Sequence, residues 1–272
     1  MNSGQALVAA IDIGGTKIAG ALIGAEDGSL RHRVQRPTRA QESGEVVLGA
    51  LAEVIGELTR SADWPRVRLV GVGSAGPVDA VRGTVSPVNI PGWRDFPVVG
   101  EVAALTGGRP VVLTGDGVAM TAAEHWRGAA RGYDNALCLV VSTGVGGGLV
   151  LRGALYPGPT GNAGHIGHIS VDLDGDSCPC GSRGCLEQLA SGTAIVRHAL
   201  AAGWRPDGGR LVDISGGATT VAVADAARAG DPRALGAFAR AGQALAAGLA
   251  ATDTLVELDV VVIGAGVAQV GE

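Results

Sequence analysis

The chain has 272 residues, 46% of them hydrophobic, and a formal net charge of −5, enough to bury one large core or two moderate ones. No apolar run reaches the ~18 residues that spanning a bilayer requires, and the N-terminus lacks the charged-then-apolar layout of a signal peptide, so a cytoplasmic protein with reduced cysteines and no membrane partner is expected. The acidic balance and the lack of a basic block argue against a nucleic-acid surface, because neutralising phosphates takes clustered Lys and Arg.

In chain order, Leu7–Ile23 reads as an apolar strand, a glycine turn and a second apolar strand, hence a hairpin. A helix is expected near Gly44–Arg60, a strand near Val67–Val72 and a short strand ending at Leu113, after which Asp116 heads a helix running to about Arg131. Leu137–Leu151 repeats the pattern of strand, glycine turn and strand. Two such hairpins half a chain apart predict duplicated α/β halves facing each other across a cleft. The expected boundary gives a small N-terminal α/β domain at 1–116 and a larger α/β domain at 117–272. Later helices are expected around Leu186–Ala202, Thr219–Ala229 and Pro232–Thr254, with a strand at Val260–Ile263.

Three cysteines and a histidine fall within one short stretch: His168, Cys178, Cys180 and Cys185. Three thiolates and an imidazole complete a tetrahedral Zn²⁺ site with no position left for a catalytic water, so the expected metal is structural. It would pin a loop whose neighbours His165, His168 and Glu187 then face a polar substrate. The competing reading is a cluster of buried or disulfide-bonded cysteines. Cys138, alone in an apolar run, reads as core.

Glycine turns let backbone N–H groups approach and cradle phosphate oxygens. Asp12, Gly14, Gly15 and Thr16 fit one cradle, and Ser142, Thr143, Gly144, Gly146 and Gly147, in the run to Gly148, fit another. Singly, each is better read as a plain tight hairpin. Together they suit the β- and γ-phosphates of ATP, with Asp12 placed to hold a water of a Mg²⁺ ion. Gly71-Val-Gly73-Ser-Ala-Gly76 matches a dinucleotide-binding fingerprint, but the turn-rich Pro77–Gly83 follows where that motif needs a helix, so a Rossmann site is rejected. Asp116, where a strand stops and a helix begins, is either an N-cap or a base that takes a proton from a substrate hydroxyl. Asn89 lies on a turn-rich loop and is either a turn residue or a hydrogen-bonding partner for a sugar hydroxyl.

These motifs, in this order over nearly the whole chain, resemble the ROK family of bacterial sugar kinases and sugar-responsive repressors. Asp12-Ile-Gly-Gly-Thr-Lys17 resembles its first phosphate motif and Ser142-Thr-Gly-Val-Gly-Gly-Gly148 its second. Ala163-Gly-His165-Ile-Gly-His168 is similar to its sugar-binding segment, Cys178–Glu187 to its zinc and sugar signature, and Val261-Val-Ile-Gly264-Ala265-Gly266 to its turn near the adenosine. The resemblance implies a two-domain actin-like ATPase (ribonuclease H-like) fold and transfer of the γ-phosphate of ATP to a carbohydrate hydroxyl. It implies Asp116 as general base, Gly76, Asn89, Gly115, His165, His168 and Glu187 around the sugar, and Lys17, Gly264, Ala265 and Gly266 among the ATP-binding residues. It also implies a homodimer or homotetramer.

The chain departs from the family pattern in four places. Gly115-Asp116 stands where Asn-Asp is usual, and His165 where a Glu is usual; glucose or a related hexose is the substrate the resemblance implies first, and one acceptor fewer with more open volume makes an amino sugar or cyclitol the alternative, expected to compete well against glucose. Gly264-Ala265-Gly266 replaces a triple glycine, and the chain stops at Glu272 where relatives continue. A sugar-sensing repressor is disfavoured because only six residues precede the first strand, too few for a helix-turn-helix. A binding protein without catalysis is disfavoured by Asp12 and Asp116. Loss of the metal loop, through Cys180→Ser, is expected to weaken sugar binding more than ATP binding, since the ATP cradles lie elsewhere in the sequence.

Overall fold

Along Leu7–Ile13 the residues Leu7, Ala9, Ile11 and Ile13 are buried and those between them are not fully so, the period of two that builds strand β1. The computed structural model describes residues 5–206, 219–264 and 266–267. By internal contacts the chain divides into two units, 1–119 with 157–163, and 120–156 with 164–272.

In the first unit, β1 is followed by β2 (Lys17–Gly24), β3 (Leu30–Pro37), α1 (Gly44–Thr59), β4 (Val67–Ser74), the short pair β5 (Val78–Asp79) and β6 (Thr84–Val85), α2 (Val98–Leu105) and β7 (Val111–Gly115). The sheet order is β3-β2-β1-β4-β7; β2 and β3 are antiparallel to their neighbours, while β1, β4 and β7 run parallel. Helix α1 buries Val47, Ala50, Leu51, Val54, Ile55 and Leu58, the three-and-four spacing of one helical face, and lays that face on β2 and β3. Each of the Val, Leu and Ile side chains, fully buried, contributes ~1.5–3 kcal/mol. Buried Trp93 stacks on Phe96 with ring centroids 4.1 Å apart and donates its indole N–H to Gly44 C=O at 3.1 Å. After β4 the chain forms the β5–β6 hairpin rather than a helix, so the fingerprint around Gly71–Gly76 has no Rossmann geometry.

The register sets Ile13 beside Ser74, and Ser74 beside Gly115. The carboxyl ends of β1, β4 and β7 therefore share one edge, the edge at which open parallel sheets bind ligands. Residues 157–163 belong to this unit: the Asn162 amide donates to Val78 C=O at 2.6 Å and accepts Val78 N–H at 3.1 Å, and Ala80 N–H donates to Thr160 C=O at 3.0 Å.

Helix α3 (Asp116–Arg127) begins in the first unit and continues into the second. It ends earlier than Arg131, because Gly128 and Ala129 N–H groups turn back onto Glu124, the latter onto its carboxylate at 2.9 Å. The second unit then has β8 (Ala136–Val141), β9 (Val145–Leu151), β10 (Ala154–Tyr156), α4 (Leu186–Ala190), α5 (Gly192–Ala201), α6 (Thr220–Arg228), α7 (Pro232–Val256) and β11 (Val260–Gly264). Its sheet runs β10-β9-β8-β11, with β8 and β11 parallel and the other pairs antiparallel. Leu137, Leu139 and Val141 of β8 join the core formed with α4 to α7, while Ala136 and Cys138 pack on the other side with Val150 and Met120, so β8 is apolar at nearly every position. Asp231 caps α7 by accepting Arg233 and Ala234 N–H ahead of Pro232.

The single helix expected over Leu186–Ala202 is two helices. Ser191 breaks it with extended backbone (ψ 158°) and caps the second piece, its hydroxyl accepting Ala194 N–H at 3.2 Å. Among the described residues no helix is long and apolar enough to cross a membrane.

Candidate functional site

In the first unit the sheet edge collects Asp12, Gly14 to Lys17, Gly76, Asn89, Gly115 and Asp116. The β1–β2 turn is closed by Gly14 N–H on Lys17 C=O at 3.0 Å. Buried Thr38 clamps it, donating its hydroxyl to Gly14 C=O at 2.6 Å and its N–H to Thr16 C=O at 3.0 Å. The N–H groups of Gly15 and Thr16 meet no acceptor among the described residues, which leaves them open to an anion. The Asn89 side chain lies directly on Gly15, where a Cβ would stand 2.8 Å from Asn89 Cγ. Val88 N–H donates to Gly76 C=O at 3.2 Å, joining the Gly76 turn to the Asn89 loop.

Asp116 Oδ1 accepts Gly117 N–H at 2.7 Å at the head of α3. The neighbouring Asp12 carboxyl is held above the ordinary carboxylate range, first by the protein packed around it and then by the Asp116 charge, with Lys17 opposing. A carboxylate whose proton affinity is raised by a second carboxylate beside it is part of a donor set suited to a hydrated Mg²⁺ ion.

In the second unit the β8–β9 turn carries Ser142, Thr143 and Gly144, while Gly146 and Gly147 lie in β9 opposite Val140 and Leu139. Thr143 and Gly144 N–H have no acceptor among the described residues, as in the first turn. Glu187 on α4 reaches this turn, its Oε2 accepting Val145 N–H at 2.9 Å. The segment carrying His165 and His168 lies on β9: a Cβ on Gly164 would stand 2.7 Å from Gly148 Cα, and one on Gly167 would run into Val145 C=O. The His165 and His168 rings face each other edge to face, 6.2 Å apart. Gly264, at the end of β11, sits beside Val140 in register, and Val267 N–H donates to Val141 C=O at 3.3 Å, which brings Gly266 to the same turn. Ala265 lies outside the described residues.

The four metal-ligand candidates converge. The donor atoms of His168, Cys178, Cys180 and Cys185 all lie within 4.8 Å of one another, with His168 Nδ1 3.7 Å from Cys178 Sγ and Cys180 Sγ 3.6 Å from Cys185 Sγ. Ligands at ~2.3 Å around a tetrahedral Zn²⁺ stand about 3.8 Å apart, so these residues fit the ion. All three cysteines are free rather than disulfide-bonded. Burial, with the two neighbouring sulfurs, pushes the Cys185 thiol up to about 12, a crowding that a divalent cation relieves. Cys138 is buried and its thiol is raised to about 11, first by burial, which makes it an inert core residue.

Thr38, Ser191 and Thr193 were not singled out by the sequence. Thr38 carries no motif signal. Ser191-Gly192-Thr193 does, as a capping residue inside an otherwise helical run, but the apolar period continues across it.

The ROK family model matches residues 8–272. The chain is 38% identical to the glucokinase of Thermotoga maritima, over 96% of this chain and 82% of that protein. It is 36% identical to an N-acetylmannosamine kinase of Yersinia pseudotuberculosis, over 95% of this chain and 82% of that one. Among solved structures it superposes on a ROK family glucokinase from Streptomyces griseus in complex with glucose and AMPPNP, with a TM-score of 0.81 and 35% identity, covering 98% of this chain and 85% of that one. With these similarities, an actin-like ATPase fold and both glycine turns in place, the chain belongs to the ROK family.

Proposed function

We infer that this protein is an ATP-dependent sugar kinase, a phosphotransferase with an alcohol group as acceptor, and that Asp116 is its general base. The observation that carries the assignment is the pair Asp12 and Asp116 at the carboxyl edge of β1, β4 and β7, close enough for the Asp116 charge to raise Asp12. In the proposed step Asp116 accepts the proton of the substrate hydroxyl as its oxygen bonds to the γ-phosphorus. The bond from that phosphorus to the β–γ bridging oxygen breaks, and ADP leaves. Gly14 to Lys17, Ser142 to Gly147 and Gly264 to Gly266 are assigned to ATP, and Gly76, Asn89, Gly115, His165, His168 and Glu187 to the sugar. Mg²⁺ bound with ATP would neutralise phosphate charge, and Asp12 would hold it through a water. His168, Cys178, Cys180 and Cys185 would hold a Zn²⁺ ion that would fix the loop, and the remaining His168 ring nitrogen could then meet a substrate hydroxyl.

The sugar we propose is glucose, supported by the likeness to two glucokinases. The likeness to an N-acetylmannosamine kinase, with His165 in place of the usual carboxylate, favours an amino sugar as the second reading. Measuring ADP release over a panel of hexoses, amino sugars and cyclitols tests both. Turnover of none of them would overturn the kinase assignment.

A further inference from the structure

The β8–β9 turn is held from behind by the junction of α4 and α5. Ser191 Oγ accepts Ala194 N–H at 3.2 Å and lies 3.0 Å from Thr193 Oγ1, which donates to Thr143 C=O at 3.0 Å. With the Thr193 proton committed to Thr143, the hydrogen between the two hydroxyls comes from Ser191, so the relay has one direction, from Ala194 to Thr143. Beside it Gly192 N–H donates to Ser142 C=O at 2.7 Å. Only glycine fits there, since a Cβ would stand 2.7 Å from Thr220 Oγ1 and 3.0 Å from the same Ser142 oxygen.

A trans peptide is planar, with C=O and N–H pointing in opposite directions. Pinning Ser142 C=O toward Gly192 therefore turns Thr143 N–H away from α5, and pinning Thr143 C=O toward Thr193 does the same for Gly144 N–H. These are the two N–H groups of the turn that meet no acceptor among the described residues. Two adjacent open donors held in one direction make an anion nest.

We propose that Thr193 is a positioning residue for nucleotide binding, which fixes the Thr143–Gly144 peptide so that its N–H faces a phosphate oxygen. The proposal rests on the assignment of Ser142 to Gly147 to ATP. It involves no contact between Thr193 and the nucleotide.

The test compares T193V, which keeps the shape and removes the hydroxyl, with T193S, which keeps the hydroxyl. MgADP affinity is measured by calorimetry, and KM for ATP and for sugar by steady-state kinetics. T193V should weaken MgADP binding and raise KM for ATP by about tenfold, the effect of one lost orienting hydrogen bond. KM for the sugar and the melting temperature should not move, and T193S should restore the wild-type values. Unchanged MgADP affinity in T193V, with the wild type binding normally, overturns the role of Thr193 alone. A fall in stability with both KM values rising together overturns it in favour of a plain helix-packing role. Wild-type protein that binds no MgADP overturns the phosphate assignment and this proposal with it.

Discussion

A Cβ built on Gly115 would stand 3.4 Å from the carbonyl oxygen of Gly161. A side chain at position 115, buried beside the candidate base, would thus begin in ordinary van der Waals contact with the backbone of residues 157–163. That segment is tied down by the paired hydrogen bonds between Asn162 and Val78. Gly115→Asn should therefore keep the fold and, where the amide meets a sugar hydroxyl, shift kcat/KM toward glucose by up to ~1–3 kcal/mol. Thermal melts and steady-state kinetics check this. A variant that melts lower and uses glucose no better would show that residues 157–163 leave no room for the amide.

His165 is partly buried and meets the His168 ring edge to face. His165→Glu should restore an acceptor for a sugar hydroxyl and shift kcat/KM toward glucose over amino sugars, by up to ~1–3 kcal/mol if the contact is buried. Measuring both substrates with both proteins decides it, and an unchanged ratio would remove His165 from the specificity determinants.

Metal analysis of protein purified without chelator should find one Zn²⁺ per chain, given four convergent donors. Sequence distance alone points to Cys180→Ser weakening sugar binding more than ATP binding. The bond from Val145 N–H to Glu187, two residues beyond Cys185, argues otherwise. Cys180→Ser should weaken MgADP and sugar binding together, as seen by calorimetry. A loss confined to the sugar would mean that α4 does not transmit the disturbance.

Much of the fold was legible in the sequence because it rests on local patterns: alternation in β1, the apolar face of α1, and the Asp231-Pro232 start of α7. Strand β3, Leu-Arg-His-Arg-Val-Gln-Arg-Pro, escaped because it buries only Val34 well and pairs along one edge of the sheet. Helix α2 escaped through its brevity and the absence of a side-chain cap. The metal cluster and both glycine turns were legible as residue types at fixed spacing. The hold of Thr38 on the first turn and of Thr193 on the second was not, because each joins residues far apart in sequence through single hydroxyls.

His198 on α5 supplies a pH dependence. Its imidazole is held below the ordinary value, first by burial and then by the Arg240 and Arg197 charges, against a hydrogen bond to the Gln188 backbone and the Asp176 charge. Nε2 is buried and has no hydrogen-bond partner among the described residues. A base whose folded pKa is depressed adds stability that is complete above its unfolded pKa of ~6.5 and is lost as pH falls through the folded value. The wild type should lose melting temperature below about pH 6.5 relative to His198→Asn. Parallel profiles for the two proteins from pH 8 to 5 would contradict this.

The most direct test of the account is the rate of phosphoryl transfer by Asp116→Asn at saturating ATP and sugar. The amide preserves shape and can still accept Gly117 N–H, but it cannot take the substrate proton. The account predicts a folded variant that binds MgADP and sugar with near wild-type affinity while kcat falls by roughly 10²–10⁴-fold. Turnover at the wild-type rate would contradict it, and would leave Asp116 as the first residue of a helix and nothing more.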